Sequence, residues 1–79
     1  MSNDRSTGTE LYAVLEVAVV QGVRLRMAWQ RPDGRWHLEA LKPVGLRHRE
    51  GQECLIARRA TGRPVEIPLQ RIARFDLLH

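Results

Sequence analysis

The side chains in this sequence best equipped to act on another molecule are arginines at two-residue spacing. Arg24 and Arg26 form one pair, and Arg47 and Arg49 a second. Arg58 and Arg59 stand side by side, and Arg71 and Arg74 flank a shared segment near the end. Residues two apart on a strand point the same way, so each spaced pair presents two guanidinium groups to one side. A guanidinium is a planar fork of donors that fits phosphate or carboxylate bidentately. The implied chemistry is grip on an anion. Arg24, Arg26, Arg47, Arg49 and Arg71 are the candidate ligand- or nucleic-acid-binding residues. Trp29 and Trp36 are large enough to stack on a base. The chain holds only two Trp, one Tyr and one Phe, so both tryptophans are expected in the core.

Catalytic and metal chemistry finds no such foothold. His37, His48 and His79 are isolated, none with a cysteine or carboxylate at metal-ligand spacing. His48 lies between two arginines, a poor setting for a cation. Glycines occur singly at turns, so there is no phosphate-cradling Gly-rich loop. Cys54 sits in an apolar run, which raises a thiol pKa and marks a structural cysteine. No enzymatic role, metal or cofactor is expected.

A chain of 79 residues supports one domain. Such a domain buries only roughly 60% of its unfolded surface, so its stability margin is thin. The formal net charge is +4, and Lys42 is the sole lysine. A basic balance points to phosphate, nucleic acid or an acidic protein surface. GC-rich codon usage would also enrich arginine, and both readings stay open. The single cysteine fits a reducing compartment. The first eight residues lack the apolar core of a secretory signal. The longest apolar run, Val17 to Val20, is too short for a bilayer. A cytoplasmic protein without membrane contact is expected.

These candidates must be held by the elements around them. A disordered lead-in is expected over residues 1–8, and one domain over 9–79. Thr7 and Glu10 fit a capping box. Leu11, Val14, Leu15, Ala18 and Val19 then follow one helical face up to Gly22. After Gly22 the period becomes two. Val23, Leu25, Met27 and Trp29 alternate with Arg24, Arg26, Ala28 and Gln30, a half-buried strand with a basic outer face. Arg31-Pro32-Asp33-Gly34 makes a turn into a second strand, Arg35 to Leu41. Pro43 interrupts before a short third strand through Arg49. Gln52 to Arg58 reads as the most buried strand. Val65 to Leu69 carries Pro64 and Pro68 beside it, which place it at an edge or a bulge. A single 3₁₀ turn over Leu69 to Ile72 precedes a last extended piece with Phe75 and Leu77 inward. Short strands between glycine turns predict a mainly β fold with one N-terminal helix: a five-stranded antiparallel small barrel.

From Leu11 to Leu77 the sequence resembles the WYL domain, a ligand-sensing module of bacterial transcription regulators. The residues that carry the likeness are the Leu11 to Gln21 helix, Trp29, Pro43-Val44-Gly45-Leu46, Gly51 to Ala57, and Leu69-Gln70-Arg71-Ile72. The resemblance implies an Sm-like barrel and a regulatory binding role. Of the family's naming tripeptide only Leu55 is kept, within Glu53-Cys54-Leu55. Glu39 stands where the family usually has arginine, and Val65 and Pro68 replace further arginines. Arg71 carries over. No helix-turn-helix pattern is read in these residues, so sequence-specific duplex reading by this chain alone is not expected. A second resemblance is to the Rho-binding antiterminator family, another Sm-like barrel, through Tyr12 to Ala18, Asp33-Gly34 and Leu69 to Phe75. Members of that family act through an acidic surface, whereas this chain is basic.

The expected function is a non-catalytic regulatory module binding single-stranded nucleic acid or a nucleotide through its arginines. The alternative is a protein-interaction module acting on a transcription complex or on its own copies. The oligomeric state is left open.

Overall fold

The computed structural model describes residues 4–78, with side chains from residue 11 onward. His79, residues 1–3 of the expected lead-in, and the side chains of the Thr7–Glu10 capping box lie outside the described residues. Helix α1 spans Asp4–Gln21. Its start is therefore three residues ahead of the one expected at Thr7, and Gly8 lies within it. Leu11, Leu15 and Ala18 are its buried side chains, one stripe at helical spacing. The expected neighbours on that face, Val14 and Val19, are half-buried. At the C-terminus Gly22 takes φ +70°, as a left-handed cap requires. Val23 N–H donates to Ala18 O at 3.1 Å and Gly22 N–H to Val19 O at 3.3 Å. This is the Schellman pattern, and it turns the chain directly into the sheet. Among the described residues no helix is long and apolar enough to cross a membrane.

Five antiparallel strands follow: β1 Arg24–Gln30, β2 Trp36–Arg49, β3 Gln52–Arg59, β4 Pro64–Pro68 and β5 Ile72–Leu78. The spatial order is β4-β3-β2-β1-β5. The fold class is as expected, mainly β with one helix and a five-stranded antiparallel sheet, but the sheet does not close. β4 and β5 remain its two edges, so the barrel expectation is corrected to an open, bent sheet with α1 against one side. Pro64 and Pro68 do sit on an edge strand, where a missing N–H costs no ladder bond. A 3₁₀ turn, Leu69–Arg71, carries the chain from β4 to β5.

The second and third strands expected on either side of Pro43 are one continuous strand. Pro43 pairs with Ala57 and Gly45 with Ile56, so Val44 is an extra residue without a partner. This bulge absorbs the proline's missing donor within a central strand. It also shifts parity: Leu41 and Pro43 are buried before it, and Leu46 packs on the core after it. Between β2 and β3 the chain turns through Glu50 and Gly51, both with positive φ, as a two-residue hairpin turn demands.

The β1–β2 connection fixes the register. Gly34 N–H donates to Arg31 O at 2.9 Å and Arg31 N–H to Arg35 O at 2.7 Å. Arg35 N–H is held by Asp33 Oδ1 at 2.9 Å. Trp29 thereby faces His37, Met27 faces Glu39 and Leu25 faces Leu41. The core gathers Leu25, Met27, Trp29, Leu41, Leu55, Ala57 and Ile67 beneath the helix stripe.

Candidate ligand-binding face

Directly opposed residues of an antiparallel pair lie on the same side of a sheet. With Leu25, Met27 and Trp29 inward, the inward residues of β2 are His37, Glu39 and Leu41. Trp36, Leu38 and Ala40 therefore point outward. Trp36 is 63% exposed and Leu38 65%, whereas Trp29 is 6% exposed. The expectation that both tryptophans are core residues is corrected for Trp36. The reason is the hairpin register, which sets Gln30, not Trp29, against Trp36.

The outer face of β1, β2 and β5 has a defined order. Ala40, Arg26 and Asp76 form one cross-strand row, and Leu38, Ala28 and Arg74 the next. Trp36 and Gln30 form a third row, and Arg24 lies opposite Leu78 at the other end. A depression of ≈ 530 Å³ opens here, bounded by Arg26, Trp36, Leu38, Arg74 and Asp76. That volume lies within the range of small-ligand sites. No ion pair joins Arg24, Arg26 or Arg74 to a carboxylate among the described residues. The face thus offers three guanidinium groups without an ion pair against one carboxylate, Asp76, with an exposed indole at the end away from Arg24.

The five arginines singled out by sequence do not converge. Arg24 and Arg26 share the outer face of β1, as their spacing predicts. Arg47 lies seven residues along β2 from Ala40, the partner of Arg26. That is about 23 Å of strand, with the Val44 bulge in between. Arg49, at the same hairpin tip, is paired with Glu66 at 3.3 Å. Arg71 lies beyond the opposite end of β1, where its Nη1 donates to Arg31 O at 3.4 Å. Of the residues bounding this depression, Trp36 is weighed for stacking from sequence but expected in the core, Arg74 is noted beside Arg71 without being a candidate, and Leu38 is not singled out. The missed signal was the length of the Arg31–Arg35 turn, which fixes which residues of β2 share a face with Trp29.

On the inner side, a polar chain fills the rim of the core. A 2.7 Å hydrogen bond joins His37 Nε2 to Glu39 Oε1, and the His37 ring lies 4.8 Å from that of Trp29, tilted by 45°. Arg59 Nε is shut off from solvent and lies 3.5 Å from Glu39 Oε2, close enough for ion pairing but not aligned as a hydrogen bond. Glu39 is therefore occupied internally. Cys54 is buried, and burial pushes its thiol pKa up, with the Glu66 carboxylate reinforcing the shift. Among the described residues no three His, Cys, Asp or Glu side chains gather as metal ligands.

The fold recurs in PafBC. Proteasome accessory factor B/C (PafBC) of Arthrobacter aurescens contains a segment that superposes with a TM-score of 0.79 at 14% sequence identity. The match covers 89% of this chain and 11% of that protein. At this identity the likeness establishes shared architecture alone. No family model matches the chain, and no curated protein matches it.

Proposed function

We propose that this chain is a non-catalytic regulatory binding module that takes an anionic ligand, single-stranded nucleic acid or a nucleotide, on the outer face of β1, β2 and β5. One observation carries this reading: Arg26 and Arg74 make no ion pair with a described carboxylate beside the exposed Trp36 and Leu38, and Arg24, likewise without an ion pair, continues the same face along β1. Uncommitted guanidinium groups lose little on engaging phosphate, because no internal partner must first be given up. The resemblance to WYL domains of bacterial transcription regulators supports a regulatory setting. The fold shared with a segment of PafBC is consistent with it. The site lies away from Glu39, which stands where WYL domains usually place an arginine and is held here by His37 and Arg59. The binding chemistry is thus read from this chain's own residues, since fold does not fix function. Fluorescence titration with labelled oligonucleotides and nucleotides at low and high salt tests the reading. Binding that weakens steeply with salt is expected; no binding at low salt refutes it.

A second reading, self-association as a protein-interaction module, draws on a different observation. An apolar groove between α1 and the unpaired edge of β5 is lined by Val14, Val17, Val23 and Leu77. Leu77 faces the inner side opposite Leu25, as expected, but stays 43% exposed at the sheet edge. Light scattering after size exclusion decides it: a monomer at all concentrations excludes this reading.

A further inference from the structure

Resting on the reading above, we infer that Trp36 is a base-stacking plate, and that the ligand class is single-stranded nucleic acid with unpaired bases. A lone exposed apolar side chain needs no explanation, but a contiguous apolar strip does. Trp36 and Leu38 are two residues apart on one face of β2, about 7 Å along the strand. Ala28 and Ala40, the neighbours of Leu38 on that face, are too small to cover it, and Gln30 opposite Trp36 turns its amide to Gly34 O at 3.1 Å, leaving Trp36 63% exposed. The indole is left open to solvent and able to accept a ring laid against it.

The cations are arranged to serve such a ring. Arg74 and Leu38 flank Ala28 from its two sides, and Arg26 lies one row further along. Arg24 is four residues from Ala28, about 13 Å along β1, so the row from Arg24 to Arg74 is longer than one phosphate spans. A run of phosphates fits this spread better than a mononucleotide does. A duplex does not, because its bases are stacked and paired and expose no ring face to a sheet. An acidic peptide could meet the guanidinium groups but would leave the indole unused. Asp76, the one carboxylate in the depression, faces Arg26 and disfavours phosphate directly above it. The backbone is therefore drawn along the arginines, with bases toward β2.

The experiment uses the full chain with four probes: an oligothymidylate, its duplex, inorganic polyphosphate and polyglutamate. The expected result is preferential binding of the oligothymidylate with quenching of Trp36 emission. Trp36→Ala weakens oligothymidylate binding by roughly 5- to 100-fold, the loss of about one stacked base, and leaves polyphosphate binding unchanged. Trp36→Phe retains most of the affinity and loses the quenching, since the buried Trp29 is then the sole reporter. Arg26→Ala weakens both polyphosphate and oligothymidylate. If Trp36→Ala leaves oligothymidylate affinity unchanged while Arg26→Ala lowers it, stacking is overturned and the anion site survives. Equal affinity for duplex or polyglutamate also overturns stacking. If no probe binds, both the site and the plate fall. Trp36 is exposed, so circular dichroism of its variants should match the parent.

Discussion

The salt dependence of binding is where the geometry makes its most quantitative commitment. Each phosphate neutralised on a single strand contributes about −0.7 to the slope of log K against log salt. Arg24, Arg26 and Arg74 are the free guanidinium groups of the outer face, so one phosphate apiece gives a slope of about −2.1. Affinity should then fall about 18-fold on a fourfold rise in salt. Arg26→Ala removes one contact: the slope becomes about −1.4 and the same rise in salt costs about sevenfold. Arg47→Ala lies some seven residues of strand away, beyond the Val44 bulge, and should leave the slope unaltered. Anisotropy of a labelled oligonucleotide, titrated at four or more salt concentrations, measures all three. Equal loss of slope in the Arg47 and Arg26 variants, or none in the Arg26 variant, would refute the assignment of the outer face.

Three further outcomes test the framework that holds this face. Gly22→Ala forces a side chain into φ +70°, where only the Lys42 stem comes near, at 3.9 Å, so the cost is conformational. It should destabilise by about 1–2 kcal/mol and lower Tm by roughly 4–8 °C per kcal/mol, read by thermal melting. Glu39→Ala leaves Arg59 Nε without its nearby carboxylate. Because Arg59 is partly exposed, the loss should fall at the low end of the range for an orphaned polar group, about 1 kcal/mol. A melt identical to the parent's would show that the pair contributes nothing. Cys54 should resist alkylation in the native state and react at the rate of unfolding. Its folded thiol holds a proton more tightly than the unfolded one, whose ordinary pKa is 9.0. Stability therefore gains nothing from it below that pH and falls as pH rises beyond it. Denaturant midpoints measured on both sides of pH 9 check the sign.

The parts of this molecule set by local pattern were legible in its sequence. The alternation of Leu25, Met27 and Trp29 against Arg24 and Arg26 reports a half-buried strand whatever its neighbours do, and Asp33-Gly34 carries its own turn chemistry. The parts set by pairing were not. Whether Trp36 faces inward depends on counting the turn residues between it and Trp29, and the apolar alternation of Trp36, Leu38 and Ala40 against His37 and Glu39 points to the opposite phase from the one the register buries. Pro43 looked like a strand break because its missing donor is rescued only by a bulge against β3. The arginine pairs were visible as pairs. Their separation into an outer face, a hairpin tip and a turn contact follows from strand length and the bulge, neither of which a residue spacing encodes. Closure of the sheet is likewise a matter of curvature, and β4 and β5 stay apart.

The unpartnered Val44 sets how this chain can change in length. Deleting one residue anywhere between Leu41 and Leu46 would cancel the parity shift, turning Leu46 to water and Arg47 toward the interior. An insertion there would need a second, compensating one. Variants that grow or shrink should therefore do so at the Glu50–Gly51 tip, where extra residues leave every inward position in place.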